Sequence, residues 1–337
     1  MRGWSGGPQE GGKKAPHFPD YMDDNFQQLK TSVPSLRGLK FEAHGGAEPD
    51  ESAAILTRTG VAITTMLQQI PHMIAKEEMW QAMLHLPYTP LTRQDNGSMG
   101  GGGRRQQPLS SSYGSVEGTA ITGDELQKTI EGLMVTKGSY VKMNYRIQAD
   151  PDPELGMLLL NEYRTNLKNE PIENLGGSPG DPQSVGLGNT WLLFDTGNLK
   201  EARFRYLGQQ RLGKHETFVV AFAQIPEEVL LPAQIGLSGV TCPYMRQGVL
   251  WIDQSLYQIL HLETDLLAPL PGIKLTEART EIEFGEVRIP ERNLSLWLPK
   301  ELEVLIETED EATVERHRYS EYRLLTATSR IILPDEE

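Results

Sequence analysis

From residue 140 onward the hydropathy period is two, and that period decides what this chain can build. In Tyr140–Gln148, Val141, Met143, Tyr145 and Ile147 alternate with Lys142, Asn144 and Arg146, which is the pattern of a strand with one face buried and one in water. Further strands are expected at 157–165, 190–195, 201–208, 216–225, 248–253, 256–263, 274–289, 296–307 and 315–332. Residues 216–225, with Phe218, Val219, Val220, Ala221, Phe222 and Ala223, are apolar on both faces and belong where the sheet is covered on both sides. Thr280, Ile282 and Phe284 alternate with Glu281 and Glu283, so one face there meets water. Gly208 to Gly213 and Asp253–Ser255 read as hairpin connections. Short strands joined by turns, without long helices between them, indicate an antiparallel meander rather than a doubly wound sheet.

The N-terminal half reads differently. Residues 1–19 are rich in glycine, proline and lysine and are expected to be a disordered tail. A helix is expected over about 20–33, with Met22, Phe26, Leu29 and Val33 at helical spacing and Pro34 ending it. A second should begin after Pro49, with Asp50 as N-cap and a stripe of Ile55, Thr59, Ala62, Ile63, Met66, Leu67 and Ile70, closed by Pro71. Residues 72–86 are read as strand. Residues 93–118, with four glycines at 100–103 and a serine run, cannot build a core and are expected to be a flexible insertion. Thr122-Gly123-Asp124-Glu125 reads as a capping box opening a short helix to about 133. The domain plan is a tail at 1–19, a helical arm at 20–49 and one sheet domain at 50–333.

Composition narrows the function classes. The chain of 337 residues has a formal charge of −14, which disfavours nucleic acid, whose phosphates need a clustered basic face, and disfavours a polybasic hold on anionic lipid. Apolar residues are 38%, with Gly 33 and Pro 22, a folded core carrying long polar connections. Cys242 is the single cysteine, so no intramolecular disulfide forms; it reads as a small buried hydrophobe. No run reaches the length of about 18 apolar residues that spans a bilayer. Met1 to Lys14 lacks the apolar core of a signal peptide, so the expectation is either a cytoplasmic protein or one whose export signal is absent from this sequence.

No common catalytic arrangement is present. There is no GxxxxGK[ST] loop, no GxGxxG at a strand-to-helix turn, no GxSxG elbow and no HExxH. Two polar groups invite an acid/base or metal reading. His261 and Glu263 share one strand face, with Asp253 and Asp265 nearby. His317 shares a face with Tyr319, Glu321 and Arg323. Solvated or cross-strand-paired polar faces account for both groups without special geometry, and Glu301/Glu303 and Glu307/Glu309 read as an exposed acidic row that protects a sheet edge. The expectation is therefore no catalytic residue, no metal ligand set and no cofactor: a protein that is not an enzyme. The leucine-rich connections are more informative. Leu230, Leu231, Ile235 and Leu237 in one, and Leu266, Leu267 and Leu270 in the other, either fold back over a core edge or line the mouth of an apolar site.

An ordered series of segments is similar to a family of uncharacterised, exported bacterial proteins. It comprises Glu162-Tyr-Arg164, Phe204-Arg-Tyr-Leu-Gly208, Gly213-Lys-His215, Val219-Val-Ala-Phe-Ala-Gln224, Gln247-Gly-Val-Leu-Trp-Ile-Asp253, Tyr257 to Leu267, Glu281-Ile-Glu-Phe284, Leu296-Trp-Leu-Pro299 and His317-Arg-Tyr-Ser-Glu-Tyr-Arg323. That family resembles in pattern the lipoprotein-carrier (LolA-like) fold. The resemblance implies an α+β fold: a large curved antiparallel sheet, an open half-barrel, packed on a few helices, here those at 50–70 and 122–133. It implies a periplasmic or cell-envelope location and a concave apolar face holding a lipid, an acyl chain, a lipoprotein or a partner polypeptide. It carries over no catalytic residues. The competing expectation is a structural subunit docking on a larger envelope complex.

Overall fold

The computed structural model describes residues 19–41, 51–70, 72–85, 135–152, 157–172, 184–185, 187–230, 232–237, 240–309 and 311–324. Residues 1–18 of the tail expected at 1–19, the Asp50 cap, the insertion at 93–118, the helix at 122–133 and Leu231 lie outside these residues.

The strands are β1 (Lys40–Phe41), β2 (His72–His85), β3 (Val135–Asp152), β4 (Met157–Thr165), β5 (Pro171–Ile172), β6 (Ser184–Val185), β7 (Ala202–Leu212), β8 (His215–Gln224), β9 (Ala233–Leu237), β10 (Val240–Tyr244), β11 (Arg246–Asp253), β12 (Ile259–Leu266), β13 (Leu275–Ile289), β14 (Leu294–Thr308) and β15 (Glu311–Leu324). Twelve of them form one open sheet in the order β1-β7-β8-β11-β12-β13-β14-β15-β2-β3-β4-β5, antiparallel throughout. It is the expected half-barrel. The helices are α1 (Phe26–Ser32), α2 (Glu51–Gln69) and α3 (Leu187–Leu192). Among the described residues no helix is long and apolar enough to cross a membrane.

The central strands β11 and β12 are buried on both faces. On the inner face, Ile55, Leu56, Ile63, Met66, Leu67 and Ile70 of α2 pack with Trp191–Phe194 and with Val220, Phe222, Leu250, Leu262, Ile282 and Leu302 of successive strands. On the outer face, Val219, Ala221, Val249 and Trp251 meet Tyr21, Leu29, Val33 and Leu36. The N-terminal arm thus covers the back of β8 and β11, which explains why β8 is apolar on both sides.

Four sequence expectations need correction. The arm's helix starts at Phe26, not residue 20, because Asp20 and Asn25 divert the backbone. Asp20 Oδ1 accepts from the amides of Met22 and Asp23, and Asn25 then caps α1 by accepting from Gln27 and Gln28 while Gln28 bonds back to Asn25. Residues 190–195 are not a strand but the end of α3 and a turn; Trp191, Leu192, Leu193 and Phe194 are all buried, and a short apolar run carries no period that separates the two states. Gly208 does not begin a turn. It is a bulge inside β7, where the register shifts between Tyr206 and Gly208, and the hairpin tip is Gly213, at φ +56°. The Ile235 to Leu237 end of the leucine-rich connection is not an open loop: β9 pairs with β10 and β6 in a separate three-stranded sheet.

Candidate functional site

Two of the polar groups visible in the sequence are interior, not solvated. On the inner face β15 lies against β2, with Tyr319 opposite Glu77 and Glu315 opposite Gln81. Glu77 is the hub. Arg164 of β4 grips it with Nε at 2.7 Å and Nη2 at 3.0 Å, Tyr319 donates to it at 2.9 Å, and His317 Nδ1 lies 2.7 Å away. His317 Nε2 faces Glu315 at 3.3 Å, and Glu315 accepts from Gln81 at 2.8 Å. Burial would push the Glu77 carboxyl up, but Arg164 and His317 outweigh it and hold it well below the usual range. Burial opposes the charged His317 ring too, and Glu315 and Glu77 overcome that, raising its pKa. Glu77, Glu315 and His317 are wholly buried and Arg164 nearly so, so this cluster ties three strands together. Glu321 and Arg323 do not join it. A register shift after Ser320 and a left-handed Glu321 (φ +50°) break the alternation, and Glu321 instead pairs with Lys76 at the surface.

The second group lies on the outer face beneath the arm. Tyr21 donates its hydroxyl to Asp265, Gln247 donates to the Pro19 carbonyl at 2.9 Å, and the Arg205 guanidinium donates to the Met22 and Asp24 carbonyls at 2.9 and 2.8 Å. Burial raises the Asp265 carboxyl despite Arg279 beside it. His261 stacks edge-on against Trp251 at 4.7 Å and sits among Glu263, Glu281 and Glu283. Burial disfavours its charge, yet the carboxylates of Glu263 and Glu283 beside it push it up to about 10. Glu301 and Glu303 pair with Arg318 and Arg316 of the next strand, so that part of the acidic row is neutralised across the sheet.

Asp253 belongs elsewhere. Its carboxylate accepts from the Ser255 hydroxyl and the amides of Ser255 and Leu256, which fixes the β11–β12 turn. Its Oδ2 lies 2.7 Å from His215 Nδ1. Burial works against the ionised Asp253, but these bonds hold it below the ordinary range. His215 meets Trp297 edge-on, with ring centroids 5.2 Å apart.

His215 and Trp297 stand in a cleft of about 700 Å³ between the β7–β8 tip, the β11–β12 turn and the bulged ends of β13 and β14. Leu212, Leu256, Leu260, Phe284 and Trp297 supply its apolar wall, and Lys214, Lys300, Glu283 and Glu286 its charged rim. The two acidic residues are engaged, Glu283 by His261 at 2.8 Å and Glu286 by the Ser295 hydroxyl at 2.5 Å. Among the described residues Lys214 and Lys300 have no carboxylate within ion-pairing distance. The volume falls in the range of small-molecule sites, about 300–1,000 Å³. Sequence reading missed this cleft. No local pattern announced it, because Trp297 is half-buried and packs against the edge of the inner core.

The leucine-rich connections divide. Ile235 lies in β9 and Leu266 ends β12, and each is 1% exposed within the inner core, where β-pairing removes them from any loop. Leu267 and Leu270 are half-buried, Leu270 is bridged to Leu275, and Leu237 closes β9. Leu230 is 56% exposed. Among those whose side chains are described, none lines the cleft. Nearby, Arg246 is buried with Nη1 donating to Thr190 at 2.7 Å; burial lowers its pKa.

No family model matches the chain, and no curated protein does. Similar solved structures include a DUF1329 family protein from Desulfovibrio piger, 10% identical, with 83% of this chain and 96% of that one covered at a TM-score of 0.38. Another is a putative outer membrane lipoprotein-sorting protein domain from Vibrio parahaemolyticus, 10% identical, with 81% and 95% covered at a TM-score of 0.35. At that identity and those TM-scores, the likeness assigns this chain neither family nor function.

Proposed function

We propose that the protein is a non-enzymatic binding protein of the cell envelope whose cleft at the β7–β8 tip takes a ligand with an acyl-like apolar body and an acidic head. The observation that carries this reading is the cleft itself: five apolar side chains wall about 700 Å³, while the rim ammonium groups of Lys214 and Lys300 remain without an ion-pair partner among the described residues. Binding there removes apolar surface from water on both sides, worth about 25 cal/mol per Å², and gives the two lysines a nearer counter-charge than Glu286, on which both already act. The inner face offers less room, because α2, Trp191–Phe194 and β9 already fill it. His215 is oriented by Asp253, and among the described residues that line the cleft there is no serine, cysteine or threonine. The envelope location rests on the resemblance of the sequence motifs.

Solvent extraction of the purified protein followed by mass spectrometry, together with Trp297 fluorescence during titration with oleate or lysophosphatidate, tests this. Binding should weaken at least tenfold in Leu256→Ala and in Lys214→Glu/Lys300→Glu. An extract without lipid, and fluorescence unmoved by either amphiphile, would overturn it and favour a docking subunit.

A further inference from the structure

The outer-face carboxylates around His261 are placed in a way the cross-strand packing alone does not explain. Glu263, Glu281 and Glu303 stand directly opposite one another on β12, β13 and β14, and His261, Glu283 and Glu301 do so one step along. Like charges facing each other across a sheet are destabilising. The arginines of β15 reach only the Glu301/Glu303 end of these rows.

The His261 ring is held at Nε2, where Glu281 Oε1 also stands 3.7 Å away. Its Nε2 is 3.1 Å from Glu263 Oε1, and both side chains are more than nine-tenths buried. A metal-bound histidine is oriented in this manner, its second nitrogen directed at a carboxylate that fixes ring and tautomer. The opposite atom, Nδ1, is buried and makes no hydrogen bond. Glu283 Oε1 lies only 2.8 Å from it, but off the line of an N–H donor. Ligand atoms of His261, Glu281 and Glu283 all fall within 4.8 Å of one another. Donors about 2.0–2.2 Å from a shared cation stand no more than roughly 4.4 Å apart, so small side-chain rotations of the two half-exposed glutamates close the set.

We propose that His261, Glu281 and Glu283 bind a first-row divalent cation, with Glu263 as the carboxylate that orients the imidazole. One imidazole with two carboxylates suits zinc, manganese or iron(II) rather than magnesium or calcium, which take all-oxygen shells. Any proton on the ring leaves to solvent as the cation enters. Glu283 also lines the cleft, so the ligand set stands at its edge.

Isothermal titration of the full chain with ZnCl₂ and with MnCl₂ tests the assignment, and it needs no amphiphile, so its outcome is separate from that of the cleft reading. The side chains of Glu281 and Glu283 are 44% and 57% exposed, so Glu281→Gln and Glu283→Gln keep the fold. The expected result is one cation per chain, bound at least tenfold more weakly in each variant and unchanged in the surface control Glu309→Gln. Absence of binding by both cations at millimolar concentration, or equal affinity in wild type and both variants, would overturn the proposal.

Discussion

The Glu77 cluster gives the sharpest energetic expectation. In Glu77→Gln the side-chain volume is kept and one acceptor remains, but the negative charge is removed from between Arg164 and His317. Both cations stay interior, at 7% and 0% side-chain exposure, with Glu315 the remaining carboxylate beside His317. Leaving a buried charge uncompensated costs about 3–5 kcal/mol, a change of at least a hundredfold in the folding constant. Glu78→Gln is the matched control. It is the next residue, on the opposite face, paired with Lys142 at 2.7 Å in a more exposed setting, and its loss should cost no more than about 1 kcal/mol. Urea unfolding followed by circular dichroism and tryptophan fluorescence reads both, provided the slope with denaturant is unchanged. A Glu77→Gln loss below about 1 kcal/mol, or one equal to that of Glu78→Gln, would show that the cluster does not hold the strands together. The pH dependence carries a second sign. The folded Glu77 pKa is depressed, so its stabilisation is present above the unfolded value near 4.3 and fades as pH falls toward the folded one. The folded His317 pKa is raised, so its stabilisation is complete below about 6.5 and is lost as pH climbs through the folded value. The gap between wild type and Glu77→Gln should therefore be widest near neutral pH and narrow below about pH 4.

Two further outcomes follow from the outer face. Tyr21→Phe removes the hydroxyl bound to Asp265 and leaves a buried acceptor short of a donor, a loss of about 1–3 kcal/mol that should appear as faster proteolysis within residues 19–39 and a red shift of Trp251 emission. Gly248→Ala places a methyl 2.0 Å from the Glu263 carbonyl oxygen, so β11 and β12 must part. Its melting temperature should fall by more than that of Gly272→Ala, whose added carbon meets nothing within 4 Å; equal stability of the two would refute this register.

Much of the sheet could be read from the sequence because each strand carries its own alternation. β4 falls at the expected residues, and Val219 through Phe222 announced a doubly covered strand through composition alone. What local pattern could not supply was pairing. Glu77 sits in a run of three charged residues that looks like a solvated strand, and its partners Arg164 and His317 are 87 and 240 residues away. His261 and His317 were visible as polar groups, but their burial depends on the arm and on neighbouring strands. The cleft was illegible for the same reason, because it forms where two turns and two bulged strand ends meet.

The order of strands in the sheet also bears on how the chain is made. β2 is completed at residue 85 and its neighbour β15 begins only at residue 311. At about 5–20 residues per second, a ribosome leaves that side of β2 without its partner for roughly 10–45 s. During this interval a fourteen-residue strand presents one row of unsatisfied amides and carbonyls, the usual template for association between nascent chains. Lys76, Glu77 and Glu78 interrupt that row with three consecutive charges, of which Glu77 becomes interior only when His317 and Tyr319 arrive. The residue that later fastens the seam thus first serves as a gatekeeper, and a chain terminated before residue 311 should partition into aggregates.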